Sequence, residues 1–196
     1  MEFIRITDIN DIRIEKSLSE FHQSFPIHEI RMPESQAFIM QDKDYLYLLA
    51  SENNIEVGSA LIWETDEYIY LDHFFIYSNY RGQGFGGKIL NKLCQSDKPV
   101  ILEIDPPVDK VSVNRKHFYE KNGFVTNPYK HIHPPYKDGF NPYELVIMTS
   151  HEQISEDLYN SFNKYLLEQR LFGKGKGKQA EIQYSCGFAA GWLPES

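Results

Sequence analysis

The stretch YRGQGFGGKIL, Tyr80 to Leu90, holds four glycines within six residues, with Arg81 before them and Lys88 after them. A glycine-rich turn that opens a helix suits an anion. The N–H groups of the first turn have no partners within the helix, and the helix dipole favours negative charge there. A phosphate or pyrophosphate is the ligand expected of it. Side chains able to move protons follow. Asp72 and His73 lie in YIYLDHFFIY, Glu103 and Asp105 in VILEID, and Tyr119 in HFYEKNGF. Carboxylates, an imidazole and a phenol are the usual general acids and bases. His131 and His133, in KHIHPPYKDGFNP, face one side if that segment is a strand. A metal would need a third ligand that the sequence does not offer. The preferred reading is a proline-fixed loop in which these histidines and Tyr136 wall the mouth of the site.

These groups need a scaffold. MEFIRIT alternates as a strand. Asp8 can cap a helix through DIRIEKSLSEFHQSF, and Pro33 suits the first turn of a second helix, PESQAFIMQ. YLYLLASE and IEVGSALIWE read as a hairpin about the turn at Asn53 and Asn54. YIYLDHFFIY is apolar on both faces toward its end, as in a central strand. A helix follows the glycine loop, then the strand PVILEI. Ser112 can cap the next helix, and Gly123 suits the left-handed position past its end. FVTNPY and YELVIMTS read as a closing pair of strands. Ile154, Leu158, Phe162, Tyr165 and Leu166 recur at helical spacing, an aromatic stripe expected to face the core. Residues 1–150 are therefore read as one domain and 151–172 as an amphipathic helix. That helix could cover the histidine loop or form a homodimer contact. Residues 173–196, beginning with a glycine–lysine run, are read as a flexible or loosely docked tail.

The chain has 196 residues, 41% of them hydrophobic, which suffices for a sizeable core. Its net charge of −8 argues against nucleic acid as the main partner. Cys94 and Cys186 show neither metal nor disulfide spacing. The N-terminal residues lack a secretory pattern and no apolar run has the length of a membrane span, so a cytoplasmic location without membrane association is expected.

Two ligands fit the glycine loop. Gly82, Gly84 and Gly87 spell G-x-G-x-x-G, the dinucleotide fingerprint, and Glu103 or Asp105 could serve the ribose. The context disagrees. YSNYR separates the strand from Gly82, and an antiparallel hairpin precedes it where a parallel β-α-β unit is needed. The second pattern is Arg81-x-x-Gly84-x-Gly86 after LDHFFIY. Together with HFYEKNGF at 117–124 and the order of elements, it resembles the GNAT superfamily of acetyl-CoA-dependent N-acetyltransferases over residues 1–150. ILEIDPP and HIHPPY look like a bacterial subgroup of it. The resemblance implies an α/β (α+β) fold with a mixed, mostly antiparallel central sheet flanked by helices, the C-terminal helix being an extension.

The resemblance also implies roles. Acetyl-CoA would be the acyl donor, with no metal, and a small-molecule or peptide amine the acceptor, attacking directly in a ternary complex. Gly82, Gln83, Gly84, Phe85, Gly86 and Gly87 would cradle the pyrophosphate, with Arg81 and Lys88 supplying charge. Gly84 and Gly86 would let the backbone approach the ligand. Phe74, Phe75 and Ile76 would present backbone to the pantetheine amides. The family often has an asparagine seven residues before its tyrosine. That position is Ser112 here, with Asn114 nearby as the substitute. Tyr119 matches the acid that protonates the departing thiolate. Glu103 matches a strand glutamate that serves as base in some members, with Asp72 and His73 as rivals. Glu103, Asp105 and Asp72 are expected to line a negative channel favouring a cationic amine. An acyl-CoA-binding sensor without turnover is the alternative, and a dinucleotide-binding protein a more distant one.

Overall fold

The computed structural model of the protein describes residues 1–137 and 139–172. The tail at 173–196, with the glycine–lysine run and Cys186, lies outside the described residues. The elements are β1 (Glu2–Ile6), α1 (Ile14–Ser24), α2 (Pro33–Ile39), β2 (Tyr45–Glu52), β3 (Ile55–Glu64), β4 (Ile69–Ile76), α3 (Phe85–Leu93), β5 (Val100–Ile104), α4 (Lys110–Lys121), β6 (Phe124–Thr126), β7 (His131–His133), β8 (Tyr143–Ser150) and α5 (Glu156–Phe172). The strands follow the order β1-β2-β3-β4-β5-β8-β6, with β7 also pairing β8. β4 with β5 is a parallel pair and the other pairs are antiparallel. The sheet is thus mixed and mostly antiparallel, as expected.

β2 and β3 form the anticipated hairpin. Asn53 and Asn54 both take positive φ, 52° and 62°, the conformation that a two-residue turn matching the strand twist requires. Two helix starts differ from expectation. The Asp8 carboxylate accepts from the Asn10 N–H at 2.9 Å, so it closes a local turn and α1 begins only at Ile14. In α4 the cap is Asp109. Its carboxylate accepts from the Ser112 N–H at 2.8 Å, while the Ser112 hydroxyl accepts from the Asp109 N–H at 3.1 Å. Ser112 is the third residue of a reciprocal capping box, not its first.

Two apolar layers cover the sheet. Ile89, Leu90 and Leu93 of α3, with Tyr119 of α4, pack on Leu71, Leu102 and Ile104. On the other face Ile14 and Phe21 of α1, Ile39 of α2 and Phe162 of α5 surround Tyr70, Phe75 and Ile101. The stripe on α5 faces inward, with the Phe162 ring 5.1 Å from Tyr70 and the Tyr165 ring 5.9 Å from Trp63.

Beside β4, Gly58 is required by close approach. A Cβ there would lie 2.5 Å from the Phe75 carbonyl oxygen, which belongs to backbone and cannot rotate away. Gly58→Ala is expected to destabilise the fold by about 1–3 kcal/mol. Urea unfolding of the variant beside wild type measures this; an unchanged midpoint would show that β3 and β4 separate freely.

Candidate active site

The site forms where β4 and β5 stop pairing. Their register runs Ile69↔Val100, Tyr70↔Ile101 and Leu71↔Leu102, then ends. Beyond Leu71 the strands diverge around a cleft of about 680 Å³. β4 also carries a bulge there. His73 pairs with Leu61 and Leu71 with Ile62, leaving Asp72 as the extra residue. Asp72 and His73 therefore both turn toward α1 and α2. After the bulge, Tyr77 donates its N–H to the Val57 carbonyl at 3.0 Å. Antiparallel alternation then points the N–H and C=O groups of Phe74 and Ile76 into the cleft.

The glycine loop closes one end. Gly84 is the residue before α3 and has φ +82°; Gly82 has φ +75°. A Cβ on either would find nothing within 4 Å, so the concave side of the loop is open. Lys88 is the first N–H of α3 to find an acceptor, the Gly84 carbonyl at 3.3 Å. The N–H groups of Phe85, Gly86 and Gly87 are the orphan donors of that first turn.

Phe74, Phe75, Ile76, Arg81, Gly82, Gly84, Phe85, Gly86 and Gly87 all line the cleft. Other anticipated residues lie elsewhere or do something else. The Gln83 amide donates to the Asn79 carbonyl at 2.9 Å. Lys88 is ion-paired with Glu52 at 2.6 Å. Asn114 is exposed on α4 outside the cleft lining, whereas its neighbour Arg115 lines it. Arg81, an exposed residue, donates from Nε to the Ile76 carbonyl at 3.0 Å and from Nη2 to the Ser24 hydroxyl at 2.9 Å. Gly86 serves packing: a Cβ there would lie 2.9 Å from the Phe118 ring.

Tyr119 sits on the α4 wall of the cleft, 9% exposed, its ring 5.2 Å from Phe118 and 5.8 Å from Phe124. Among the described residues its hydroxyl has no hydrogen-bond partner. Burial pushes the phenol up to about 12, with Arg115 opposing.

Asp72, Glu103 and Asp105 do line the cleft, but each is engaged by a partner from elsewhere in the fold. Asp72 is ion-paired with Arg31 at 2.6 Å, accepts from the Tyr136 hydroxyl at 2.7 Å and has a fully buried side chain. Burial alone would raise its pKa, but Arg31, His73 and these hydrogen bonds outweigh it and hold the carboxyl well below the usual range. The Arg31 guanidinium also lies 4.5 Å over the Tyr136 ring. Glu103 contacts His131, accepts from the Tyr70 hydroxyl at 2.6 Å and lies 3.6 Å from His133. Burial raises its pKa, and the two imidazoles with the hydrogen bonds lower it further than burial lifts it. Asp105 is ion-paired with Arg115 at 2.6 Å.

The histidines differ from expectation too. His131 and His133 do face one side, but that side is Glu103. Both are buried behind the cleft and neither lines it; of the anticipated wall, Tyr136 does. His131 also meets the Tyr159 hydroxyl of α5 at 3.1 Å. Among the described residues no group of three His, Cys, Asp or Glu is placed to hold a metal ion. His73 is 3% exposed, packed edge-on against Phe21 and Phe25, with Nε2 2.8 Å from the Glu29 carbonyl oxygen. It is a hydrogen-bonded core histidine.

Sequence reading missed Arg31, Tyr70 and Glu29. Arg31 and Asp72 are 41 positions apart, and Tyr70 and Glu103 are 33 apart, so no local pattern announces either contact. Glu29 ends a single 3-10 turn, Ile27–Glu29, that carries no motif.

An open-edged strand facing a parallel neighbour across a cleft, with a glycine loop at its end, has the shape to seat a long phosphorylated ligand. Comparison with known proteins agrees. Residues 43–126 match the acetyltransferase (GNAT) domain family. Over 111 residues the chain is 28% identical to "Putative acetyltransferase YjbC" of Bacillus subtilis (strain 168). That match takes in 56% of this chain and 55% of YjbC, so it spans about half of that relative's length. Among solved structures, a "Putative acetyltransferase from GNAT family" from Bacteroides thetaiotaomicron superposes with a TM-score of 0.80 at 24% identity, covering 88% of this chain and 99% of that one. A GNAT family acetyltransferase from Elizabethkingia anophelis with acetyl-CoA bound gives a TM-score of 0.50 at 15% identity, covering 76% and 96%. The chain thus resembles the GNAT acetyltransferase domain over residues 43–126 and shares the fold of these structures.

Proposed function

We propose that the protein transfers an acetyl group from acetyl-CoA to a primary amine by direct attack in a ternary complex. The observation that carries this reading is the end of β4–β5 pairing at Leu71 and Leu102, with the glycine loop at one end of the resulting cleft and Tyr119 on its wall. The residues fit the donor. The free N–H groups of the loop suit a pyrophosphate, and the backbone of Phe74 and Ile76 can pair with an extended amide chain as another strand would. The Tyr119 hydroxyl, without a hydrogen-bond partner among the described residues and held protonated, donates to the departing thiolate. Glu103 is committed to His131 and Tyr70 and shapes the floor of the cleft. The Elizabethkingia structure, which has acetyl-CoA bound, supports the choice of donor.

Acetyl-CoA and CoA are expected to raise the melting temperature while NAD does not; ligand at about 100 times its Kd adds about 2.7 kcal/mol. Thiol release from acetyl-CoA should rise above hydrolysis when a pool of primary amines is added. Stabilisation by NAD alone would overturn the choice of donor. Stabilisation by CoA with no amine-dependent thiol release would overturn transfer in favour of a sensor.

A further inference from the structure

One carboxylate on the cleft lacks a firm partner. Glu29 ends the 3-10 turn between α1 and α2 and lines the cleft with Asp72, Glu103 and Asp105. Those three have Arg31, His131 and Arg115. Among the described residues the Glu29 carboxylate has only the exposed imidazole of His28, at 3.6 Å. Its backbone is fixed, because the Glu29 carbonyl accepts from His73 at 2.8 Å, while its carboxylate makes no hydrogen bond among the described residues.

We propose that the acceptor ammonium seats between Glu29 and Asp105, and that Glu29 is the base that takes its proton. This rests on the acetyl-transfer reading above. The groups facing Glu29 are His28 on its own turn, His73 of β4, Asp105 past the end of β5, Arg115 of α4 and Tyr143 of β8. Burial raises the Glu29 pKa and Asp105 raises it further, against His28, His73 and Arg115. A raised carboxyl is a stronger base, better matched to an ammonium than an ordinary surface glutamate. Asp72 and Glu103 are held on the opposite course, toward weaker basicity. In the step itself the N–H bond breaks and its proton goes to a Glu29 carboxylate oxygen. The freed nitrogen lone pair forms the C–N bond at the thioester carbonyl carbon. The C–S bond breaks, the sulfur takes the Tyr119 proton, and the nitrogen, cationic after attack, releases its second proton to water. Glu29 and Tyr119 exchange their protons with solvent between turnovers.

The test uses the full chain, acetyl-CoA and a panel of phenethylamine, tyramine, cadaverine, spermidine and alanine amide, taking the amine with the highest wild-type kcat/KM. Glu29→Gln is expected to lower kcat/KM at pH 7 by about 10²–10³-fold. The loss should shrink as pH approaches the amine's own pKa, because free amine needs no base. Acetyl-CoA affinity and melting temperature should stay as in wild type, and Glu29→Asp should recover part of the rate. A loss of equal size at every pH, or a wild-type rate, would overturn the assignment of Glu29 and leave acetyl transfer standing. A wild-type protein that acetylates none of the five amines would overturn both.

Discussion

Replacing Tyr119 with phenylalanine should lower kcat by about 10²–10⁴-fold and leave acetyl-CoA affinity and stability nearly unchanged. The substitution removes one oxygen and keeps a ring packed against Phe118 and Phe124. The hydroxyl has no hydrogen-bond partner among the described residues, so its loss strands no donor or acceptor in the protein. Burial pushes this phenol up to about 12, so it is protonated at any pH where the enzyme would work. That is the state needed to meet a developing thiolate. Steady-state kinetics together with calorimetric titration of acetyl-CoA separate the possibilities. A fall in kcat at constant affinity marks an interaction made in the transition state. A rise in Kd with kcat unchanged would make Tyr119 a binding residue and remove it as the acid.

The largest expected effect on stability comes from Arg31→Met. The change leaves the fully buried Asp72 carboxylate without its guanidinium, and breaking a buried pair on one side costs about 3–5 kcal/mol. Substituting both partners, Arg31→Met with Asp72→Leu, should restore much of that. The pH dependence has a definite sign. In wild type the Asp72 carboxyl is held below its unfolded value. Its contribution is therefore present above the unfolded pKa of about 3.9 and is lost as pH falls through the folded value. Without Arg31, burial dominates and the folded pKa rises. The deficit of the variant should then be smaller at pH 5 than at pH 8. Urea unfolding at the two pH values measures it, and a deficit independent of pH would mean that lost packing rather than stranded charge is responsible.

What was legible in the sequence was periodic or local. β2 and β3 follow their patterns to the residue, because alternation and two adjacent asparagines determine a hairpin without help from the rest of the chain. The glycine loop and Tyr119 were legible as motifs. Contacts between distant segments were not. Asp72, Glu103 and Asp105 read as an acidic channel because charge can be counted from sequence, whereas Arg31, His131 and Arg115 reach them only through the fold. The same limit placed His131 and His133 in the wall of the cleft when they stand behind it. Helix starts slipped where a short polar side chain had two uses. Asp8 closed a turn instead of capping α1, and Ser112 answered Asp109 from inside α4.

The bulge at Asp72 works as a parity switch. Before it, Ile69 sends its N–H to the Pro99 carbonyl on the β5 side, so odd-numbered residues of β4 face β5 with their backbone and even-numbered ones face β3. After it the rule is inverted, and the even-numbered Phe74 and Ile76 face the gap. One inserted residue thus reverses both the edge polarity and the side-chain faces of everything downstream. Were the bulge relaxed with Asp72 kept in the ladder, the register would slip by one, the backbone of Phe74 would turn to β3, and its ring would leave α3 for α1. The polar edge available to a ligand is thus chosen two positions before the ligand site begins, by a residue count rather than by a side chain.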